Sequence, residues 1–352
     1  MGKVQRQFNP NVRFLCDVNG PGRRSDFVPY SVHQLRAGDI DVVGAIGDSL
    51  TAGNGLLAIN VQQIFLQNKG LSWAIGGQGT WRQFLTLPNI LKEYNSNLYG
   101  YSVANGYSFQ TLSRFNTAEF GAMSRDLPHQ ARVLVHRITS DPKVNVREHW
   151  KYINVNIGGN DFCSDMCYYS DPYKTVALHE KNLIETLRIL RDALPRTFVS
   201  VVTSPDVFAL KRLTQPSEVC NIMHKLECPC LFANAYQKEE FFFEDVVREW
   251  HKTQQRVVDR PEFNGIDFTV VLQKFSVNLD IPRNEIGLSD FTFLSTDCFH
   301  LSQKGNAAAA TSLWNNLFES YYNKSDTWQR IYQQIQCPNE RNPFIRTREN
   351  SF

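Results

Sequence analysis

Ser49 is the first of three residues whose type and setting could support nucleophilic catalysis. It follows Gly47 and Asp48 at the end of an apolar run and precedes Leu50. A serine at a turn from a strand into a helix can lift its hydroxyl above the edge of a sheet, where a neighbouring base can take its proton. Serine also caps helices at such turns, and for this segment alone capping is the better interpretation.

His300 could be that base, because Asp297 stands three residues before it. A carboxylate at this spacing can hold one ring nitrogen while the other accepts the serine proton. The alternative is a loop histidine paired with a nearby aspartate at a helix start. Of the eight histidines, only His300 has this arrangement. His179 and His251 lie in helical patterns among charged neighbours, and we expect both to be solvated.

Asn160 could supply a third function, the stabilisation of an oxyanion. It follows Gly158 and Gly159 and precedes Asp161. The glycines permit a sharp turn, and an asparagine amide placed there can donate a hydrogen bond to developing negative charge. An ordinary Gly-Asn turn is the alternative, and it is the better one for this segment alone.

Four short apolar runs predict the strands that would position these residues, at 40–47, 152–157, 198–203 and 268–272. Helical patterns lie between or after them, at 81–94, 124–139, 172–194, 235–258 and 302–322. Strands that alternate with helices favour an α/β fold in which helices cover both faces of a parallel sheet. All three segments follow predicted strands, and open parallel sheets form their sites at that edge. This coincidence favours one catalytic site over three unrelated turns.

Composition restricts the class of protein further. The 352 residues are 42% hydrophobic, and 37 Lys and Arg against 35 Asp and Glu leave a net charge of +2. Without a basic run, nucleic acid is not an expected partner. No apolar stretch is long enough to span a bilayer, and residues 1–10 do not resemble a signal peptide. We therefore expect a cytosolic chain or a mature domain without its targeting segment, with an irregular arm at 1–39 packed on one domain at 40–352.

The cysteines favour an oxidising compartment. An even number in this chain favours disulfides, although the pairs 163/167 and 228/230 could also indicate a metal site. A zinc site usually needs a second clear knuckle, which is missing here. The segment 213–234 is expected to be a disulfide-stapled loop. The cysteines are Cys16, Cys163, Cys167, Cys220, Cys228, Cys230, Cys298 and Cys337.

The three segments resemble conserved blocks of the GDSL or SGNH hydrolases. Residues 47–50, 158–161 and 297–300 are similar to the first, third and fifth blocks of that family. Within the family, a longer set of segments is similar to a catalytic repeat of animal phospholipase B. That similarity extends from about Phe27 to Asn350, and the segments are 47–55, 71–77, 87–91, 297–301 and 313–316.

This resemblance implies a role for each site residue. Ser49 would be the nucleophile, with Asp297 and His300 as its partners. The oxyanion would be held by the Ser49 N–H, the Asn160 amide and a backbone N–H from the second block. That block usually contains Asn-x-Gly, but the segment at 74–77 keeps only the glycine, so Gly76 is the predicted donor, with Gly77 as the alternative. The implied fold is a three-layer α/β/α sandwich of flavodoxin-like type around a parallel sheet, without a metal or other cofactor.

The resemblance also implies an activity and a setting. The expected reaction is hydrolysis of fatty acyl esters of glycerophospholipids and lysophospholipids at a membrane or micelle surface. The expected location is extracellular or at the cell surface, with the signal peptide and any membrane anchor missing from this chain. Asn323 begins an N-glycosylation sequon. The run 241–243 is a candidate wall of the acyl groove, with a core position as the alternative. A disulfide from Cys298 to Cys337 is expected to fix the loop of His300.

Three other functions remain open. An acetyl or carbohydrate esterase of the same superfamily would share every catalytic residue and differ only in its groove. A metallophosphoesterase also uses Gly-Asp and Gly-Asn turns, but the histidine that usually follows the asparagine is missing after Asn160. A catalytically inactive ectodomain that binds lipid is the third, although the intact Ser49, Asp297 and His300 argue against it.

Overall fold

The computed structural model describes residues 2–328, 331 and 334–351. Its centre is a sheet of four parallel strands that lie side by side in chain order. Each predicted apolar run is one of these strands, with ends that differ by no more than two residues. The strands are β1 (Ile40–Gly47), β2 (Trp150–Asn156), β3 (Thr197–Val202) and β4 (Phe268–Gln273).

Helices cover both faces of the sheet. Their bounds are α1 (Ser49–Ala52), α2 (Leu87–Tyr94), α3 (Leu127–Ser140), α4 (Gly159–Ser164), α5 (Tyr173–Ala193), α6 (Glu218–Glu227), α7 (Pro229–Phe232), α8 (Glu240–Val258) and α9 (Gln303–Phe318).

Alternate side chains of each strand enter two separate hydrophobic cores. Val43 and Ala45 of β1 pack into a core shared with α2 and α9. Val42 and Ile46 pack into the other core, with α3, α5 and α8. This alternation follows from the period of two in a strand and produces three layers. The predicted α/β/α sandwich with a central parallel sheet is confirmed.

Three predicted helices begin three or more residues later than their sequence patterns suggest. The pattern at 124–139 begins with a 3-10 segment, Ser124–Asp126, before α3 starts at Leu127. The pattern at 81–94 becomes a helix only at Leu87, because Thr86 caps it by accepting a hydrogen bond from the Asn89 N–H and Pro88 stands in its first turn. The pattern at 235–258 begins with a 3-10 segment, Asn234–Glu239, before α8 starts at Glu240.

The segment 213–234 differs more from its prediction. It was expected to be a loop, but it contains α6 and α7. Ser217 caps α6 by accepting a hydrogen bond from the Cys220 N–H, and Pro229 stands in the first turn of α7. Proline is compatible with that position because its missing N–H would have no partner there. The cysteines and the proline, which suggested a loop, are thus placed at helix ends and on buried helix faces.

All eight cysteines form disulfides, as the even count suggested, so none is free to ligate a metal. The predicted pairing of Cys298 with Cys337 is wrong. Cys298 pairs with Cys220 because α6 packs against the loop of His300, and Cys337 pairs with Cys16. The other two disulfides join Cys163 to Cys228 and Cys167 to Cys230.

Among the described residues before β1, 2–39, the helical segments are two short 3-10 turns. Gln5 is buried and donates through its side chain to the Trp81 carbonyl, while its backbone N–H donates to Gln303. The division of the chain into an arm and one domain stays a prediction. Within the described ranges, no helix is long and apolar enough to cross a membrane.

Residues between 99 and 119 contact the edge of β1 that lies opposite β2. Single bridges join Val42 to Tyr99 and Ala45 to Asn116. Beyond Asn116, the Glu119 N–H donates to the Gly47 carbonyl at the end of β1. The following residues, 120–122, are therefore carried to the same end of the sheet as Ser49.

Candidate active site

Ser49 is the first residue of α1 and follows β1 after a single residue. That residue, Asp48, caps α1 by accepting a hydrogen bond from the Leu50 N–H at 2.9 Å. Gly47 has a φ of 154°, and a Cβ at this position would lie 2.3 Å from the Asn156 carbonyl oxygen. Only glycine fits this close approach between strands. In this turn Ser49 is buried, with 5% of the residue exposed.

His300 lies between Ser49 and Asp297 and is hydrogen-bonded to both. Its Nε2 is 2.9 Å from the Ser49 Oγ, and its Nδ1 is 2.6 Å from Asp297 Oδ2. The other carboxylate oxygen of Asp297 accepts the backbone N–H groups of Phe299 and His300, at 3.0 and 3.1 Å. The structure thus brings together the three residues that the sequence placed in one catalytic group.

The electrostatics of Asp297 and His300 favour a negatively charged aspartate beside a basic imidazole. Burial acts to raise the pKa of Asp297, but the charge and hydrogen bonds of His300 outweigh it, so this pKa lies below its ordinary value. Burial acts to lower the pKa of His300, but the charge and hydrogen bond of Asp297 outweigh it, so this pKa is raised. The arrangement can therefore stabilise an imidazolium that forms by taking a proton from Ser49.

Asn160 is the second residue of α4, just after β2. It is half-buried and lines the same groove as Ser49. Its Nδ2 donates to the Ala122 carbonyl at 2.9 Å, which fixes the plane of the amide. An amide carries two N–H donors, so the second remains for a ligand in the groove.

Gly76 does not have the free N–H that the sequence analysis assigned to it. Its N–H donates to the Ser72 carbonyl at 2.7 Å, and its own carbonyl accepts the Thr86 hydroxyl. The prediction of Gly76 as an available oxyanion donor is contradicted by this hydrogen bond, which forms because residues 72–76 fold into a tight turn.

The segment 120–122 lies beside His300 and Asn160. The Phe120 ring lies over the His300 ring with 6.0 Å between centroids, and the Ala122 carbonyl holds Asn160. Gly121, between them, is exposed and has a φ of 74°. The motifs predicted from the sequence did not include this segment. The available signal was the glycine at 121, five residues after Asn116, whose side chain accepts the Ala118 N–H.

An apolar groove opens from Ser49. Phe241, Phe242 and Phe243, which were a candidate wall, do not line it. Phe243 is buried in the core and Phe241 is 78% exposed. The apolar lining comes from other segments and comprises Leu50, Val207, Ala209, Leu210, Leu279, Ile281, Leu294, Phe299 and Leu301.

A second Ser-His pair lies outside this groove. The Ser124 Oγ is 2.7 Å from the His179 Nδ1, and Asp161 accepts the backbone N–H of Ser124 rather than a ring nitrogen. His179 is completely buried and stacks on Trp250 at 3.7 Å, and burial lowers its pKa to about 3. The prediction that His179 is solvated is therefore wrong, and the neutral ring has a structural position.

His251, the other histidine expected to be solvated, is also engaged. It is half-buried, and its Nε2 is 2.9 Å from the Ser204 carbonyl oxygen.

Two carboxyl groups near the groove are buried as well. Burial raises the pKa of Asp48 to about 6 and that of Asp161 to about 7.

The sandwich fold and the Ser-His-Asp arrangement at the carboxyl ends of its strands define the class of α/β serine hydrolases. The family model of the GDSL-like lipases and acylhydrolases matches residues 43–313. The chain belongs to this family, which confirms the resemblance seen in its motifs.

Individual relatives are more specific. Human membrane-associated phospholipase B1 is 39% identical over 353 aligned residues, which cover 97% of this chain and 24% of that protein. The mouse protein of the same name is 36% identical, with 98% of this chain and 24% of that protein covered. The chain thus spans about a quarter of the length of these relatives.

Solved structures with similar folds include two bacterial enzymes. One is phospholipase A1 from Streptomyces albidoflavus, with 11% identity, a TM-score of 0.37, and coverage of 78% of this chain and 98% of that chain. The other is an extracellular lipase from Streptomyces rimosus, with 12% identity, a TM-score of 0.35, and coverage of 76% and 95%.

Proposed function

We propose that this chain is a serine esterase that hydrolyses fatty acyl esters of glycerophospholipids and lysophospholipids. The observation that carries the proposal is the 2.9 Å contact between the Ser49 Oγ and the His300 Nε2 at the mouth of an apolar groove. The substrate class is supported by the groove, which suits an acyl chain, and by the similarity to proteins named phospholipase B1.

The reaction has two stages. His300 takes the proton of Ser49 as its oxygen attacks the ester carbonyl, and then gives that proton to the departing alcohol. The product of this stage is an acyl-enzyme on Ser49. Water then attacks the acyl carbon with His300 again as the base, which releases the fatty acid and restores the hydroxyl. Asp297 holds the imidazole and stabilises its positive charge in both stages.

The oxyanion would be held by donors from three segments. The Ser49 N–H and the second N–H of the Asn160 amide are two of them. We place the third at Gly121 instead of Gly76, because the Gly121 N–H has no acceptor among the described residues and its neighbours contact His300 and Asn160. Fixed donors of this kind stabilise the charge that develops in the transition state.

The setting proposed for the reaction is a membrane or micelle surface outside the cell. The four disulfides support an oxidising compartment. Two of the relatives are named membrane-associated. Asn323 is exposed, so its sequon is accessible for an N-glycan.

A fluorophosphonate probe tests the proposal directly. The probe should form a covalent adduct on Ser49, located by peptide mass spectrometry, and Ser49→Ala should abolish labelling. Release of fatty acid from phospholipid and lysophospholipid is then compared with hydrolysis of an acetyl ester. An inactive lipid-binding domain would bind vesicles without forming the adduct. An acetyl or carbohydrate esterase would label but release no fatty acid.

A further inference from the structure

Glu227 brings a second carboxyl group to the Asp297–His300 pair. One carboxylate oxygen of Glu227, one of Asp297 and one ring nitrogen of His300 lie within 4.8 Å of one another. Within the described residues, it is the one group of three His, Cys, Asp or Glu side chains whose atoms lie close enough together to hold a metal ion. The mechanism above uses two of them, and Glu227 has no part in it.

The position of Glu227 is fixed by α6, of which it is the last residue. Cys220 in the first turn of α6 forms a disulfide with Cys298, in the loop that carries the pair. One turn later, the His224 Nε2 is 2.8 Å from the Cys298 carbonyl oxygen. Two attachments therefore hold the helix against the loop of His300 and keep the Glu227 carboxyl group near the imidazole.

The two carboxyl groups have very different partners. Asp297 accepts hydrogen bonds from two backbone N–H groups and from the ring of His300. The Oε2 of Glu227 is buried and has no hydrogen-bond partner in the part of the chain that the structure describes. A charged oxygen without donors loses its hydration and gains nothing in return. The negative charge therefore resides on Asp297, and Glu227 keeps its proton in neutral solution.

The local electrostatics agree with this assignment. Burial, followed by the charge of Asp297, raises the pKa of Glu227 to about 8. Three more titratable groups face the cluster: His224 from α6, Asp48 beside Ser49 and Lys3 from the N-terminal segment. Burial lowers the pKa of His224 and of Lys3, and it raises the pKa of Asp48 to about 6.

We propose that Glu227 is a positioning residue whose ionisation adds a second negative charge beside His300 and makes that imidazole a stronger base. This inference rests on the proposed function, since it takes Ser49 as the nucleophile and His300 as the base. While Glu227 is protonated, Asp297 alone stabilises the imidazolium. When Glu227 releases its proton to solvent in alkaline solution, two carboxylates stabilise that imidazolium.

The pH profile of Ser49 labelling by a fluorophosphonate isolates this effect. The second-order rate constant of the unsubstituted chain should rise once as His300 loses its proton, and again near the pKa of Glu227. Glu227→Gln preserves the size of the side chain but cannot ionise. It should match the unsubstituted chain in neutral solution and label roughly three to ten times more slowly above the second rise. Glu227→Asp should keep the second rise because it keeps an acid.

Glu218→Gln makes the same chemical change at the exposed first residue of α6 and should leave both rises in place. The inference is overturned if the Glu227→Gln profile coincides with that of the unsubstituted chain, or if that chain shows no second rise. Should Glu227→Gln fail to fold, Glu227→Asp decides: a second rise that moves to a different pH supports the inference, and a second rise at an unchanged pH overturns it. Absence of any Ser49 adduct would overturn the proposed function instead.

Discussion

Asn160 and Asp297 are placed to stabilise two charges that exist only during the proposed reaction. In the proposed reaction, Asn160 would donate to the oxygen of the attacked ester, whereas Asp297 would stabilise the imidazole that becomes positive. Both side chains are held by backbone groups, Asn160 by the Ala122 carbonyl and Asp297 by the N–H groups of Phe299 and His300. Neither side chain has to reorganise when its charge develops, which is the condition for strong electrostatic catalysis.

Replacing Asn160 with alanine should reduce kcat with little change in folding. Loss of one oxyanion donor typically costs about 2.7–4 kcal/mol of transition-state stabilisation, or roughly 10²–10³ in kcat. Fatty acid release from lysophospholipid measures the rate, and thermal unfolding serves as the control. A variant within threefold of the unsubstituted chain would remove Asn160 from the oxyanion site.

Replacing Asp297 with asparagine should change both the rate and its pH dependence. Catalysis needs a neutral imidazole, so activity is lost as the pH falls through the pKa of His300. Asp297 raises that pKa, and without its charge the acid limb of the kcat/KM profile should move to lower pH. The maximum should fall on the order of 10⁴-fold, because the imidazole loses its orienting partner. An acid limb that stays in place would contradict this role for Asp297.

At the scale of elements, α6 is attached to the loop of His300. The disulfide between Cys220 and Cys298 joins the helix to a residue two positions before the histidine. Activity of a site of this kind depends on placing the reacting groups within a fraction of an ångström. A helix inserted between β3 and β4 thus holds the loop of His300 in place, although Ser49, Asp297 and His300 all lie outside that helix.

The double variant Cys220→Ser, Cys298→Ser should therefore lose more activity than stability. We expect kcat to fall at least roughly tenfold, since a displacement of about 1 Å can reduce a rate a hundredfold. Cys167→Ser, Cys230→Ser is the matched control, because this disulfide closes 63 residues against 78 and has no cysteine in the loop of His300. Equal kcat values in the two double variants, at equal thermal stability, would refute a specific role for α6.

The elements themselves were largely predictable, and their contacts were not. The β1 run is apolar apart from Asp41 and ends at a glycine, which marks a buried strand whatever its neighbours. His179 could have been placed correctly, because it lies four residues before Leu183 on the buried face of α5, yet its charged neighbours suggested solvent. The pairing of eight cysteines could not be read from the sequence, since they allow 105 connectivities.

The error at Gly76 has a similar cause. Which glycine N–H is free depends on how each turn closes, and the sequence shows only that a glycine is present. Residues 72–76 close on themselves, whereas Gly121 follows a segment held along the edge of β1 by the bridge at Asn116. Ser49, Asn160 and His300 were found because each stands in a motif beside a predicted element.

At the scale of the whole molecule, one disulfide joins distant parts of the chain. Cys16 and Cys337 are 321 residues apart in sequence. Cross-linking such distant residues restricts the unfolded chain strongly, while the native site is not involved. Global stability and catalysis are thus assigned to different disulfides.

Removing this link in the variant Cys16→Ser, Cys337→Ser should lower the free energy of unfolding by roughly 2–5 kcal/mol. Turnover at room temperature should stay close to that of the unsubstituted chain, because neither cysteine contacts the groove. Chemical denaturation and fatty acid release measure the two quantities. A large loss of turnover in a fully folded variant would show that this link also shapes the site.

The disulfide between α6 and the loop of His300 also determines when activity can appear, because it must form before the loop is fixed. A newly made chain carries thiols at 220 and 298, and no covalent bond then joins the loop of His300 to α6. Full esterase activity would emerge only after oxidation, so lipids around the site of synthesis would meet a folded but weak enzyme. Maturation of the thiols would act as the final step of activation.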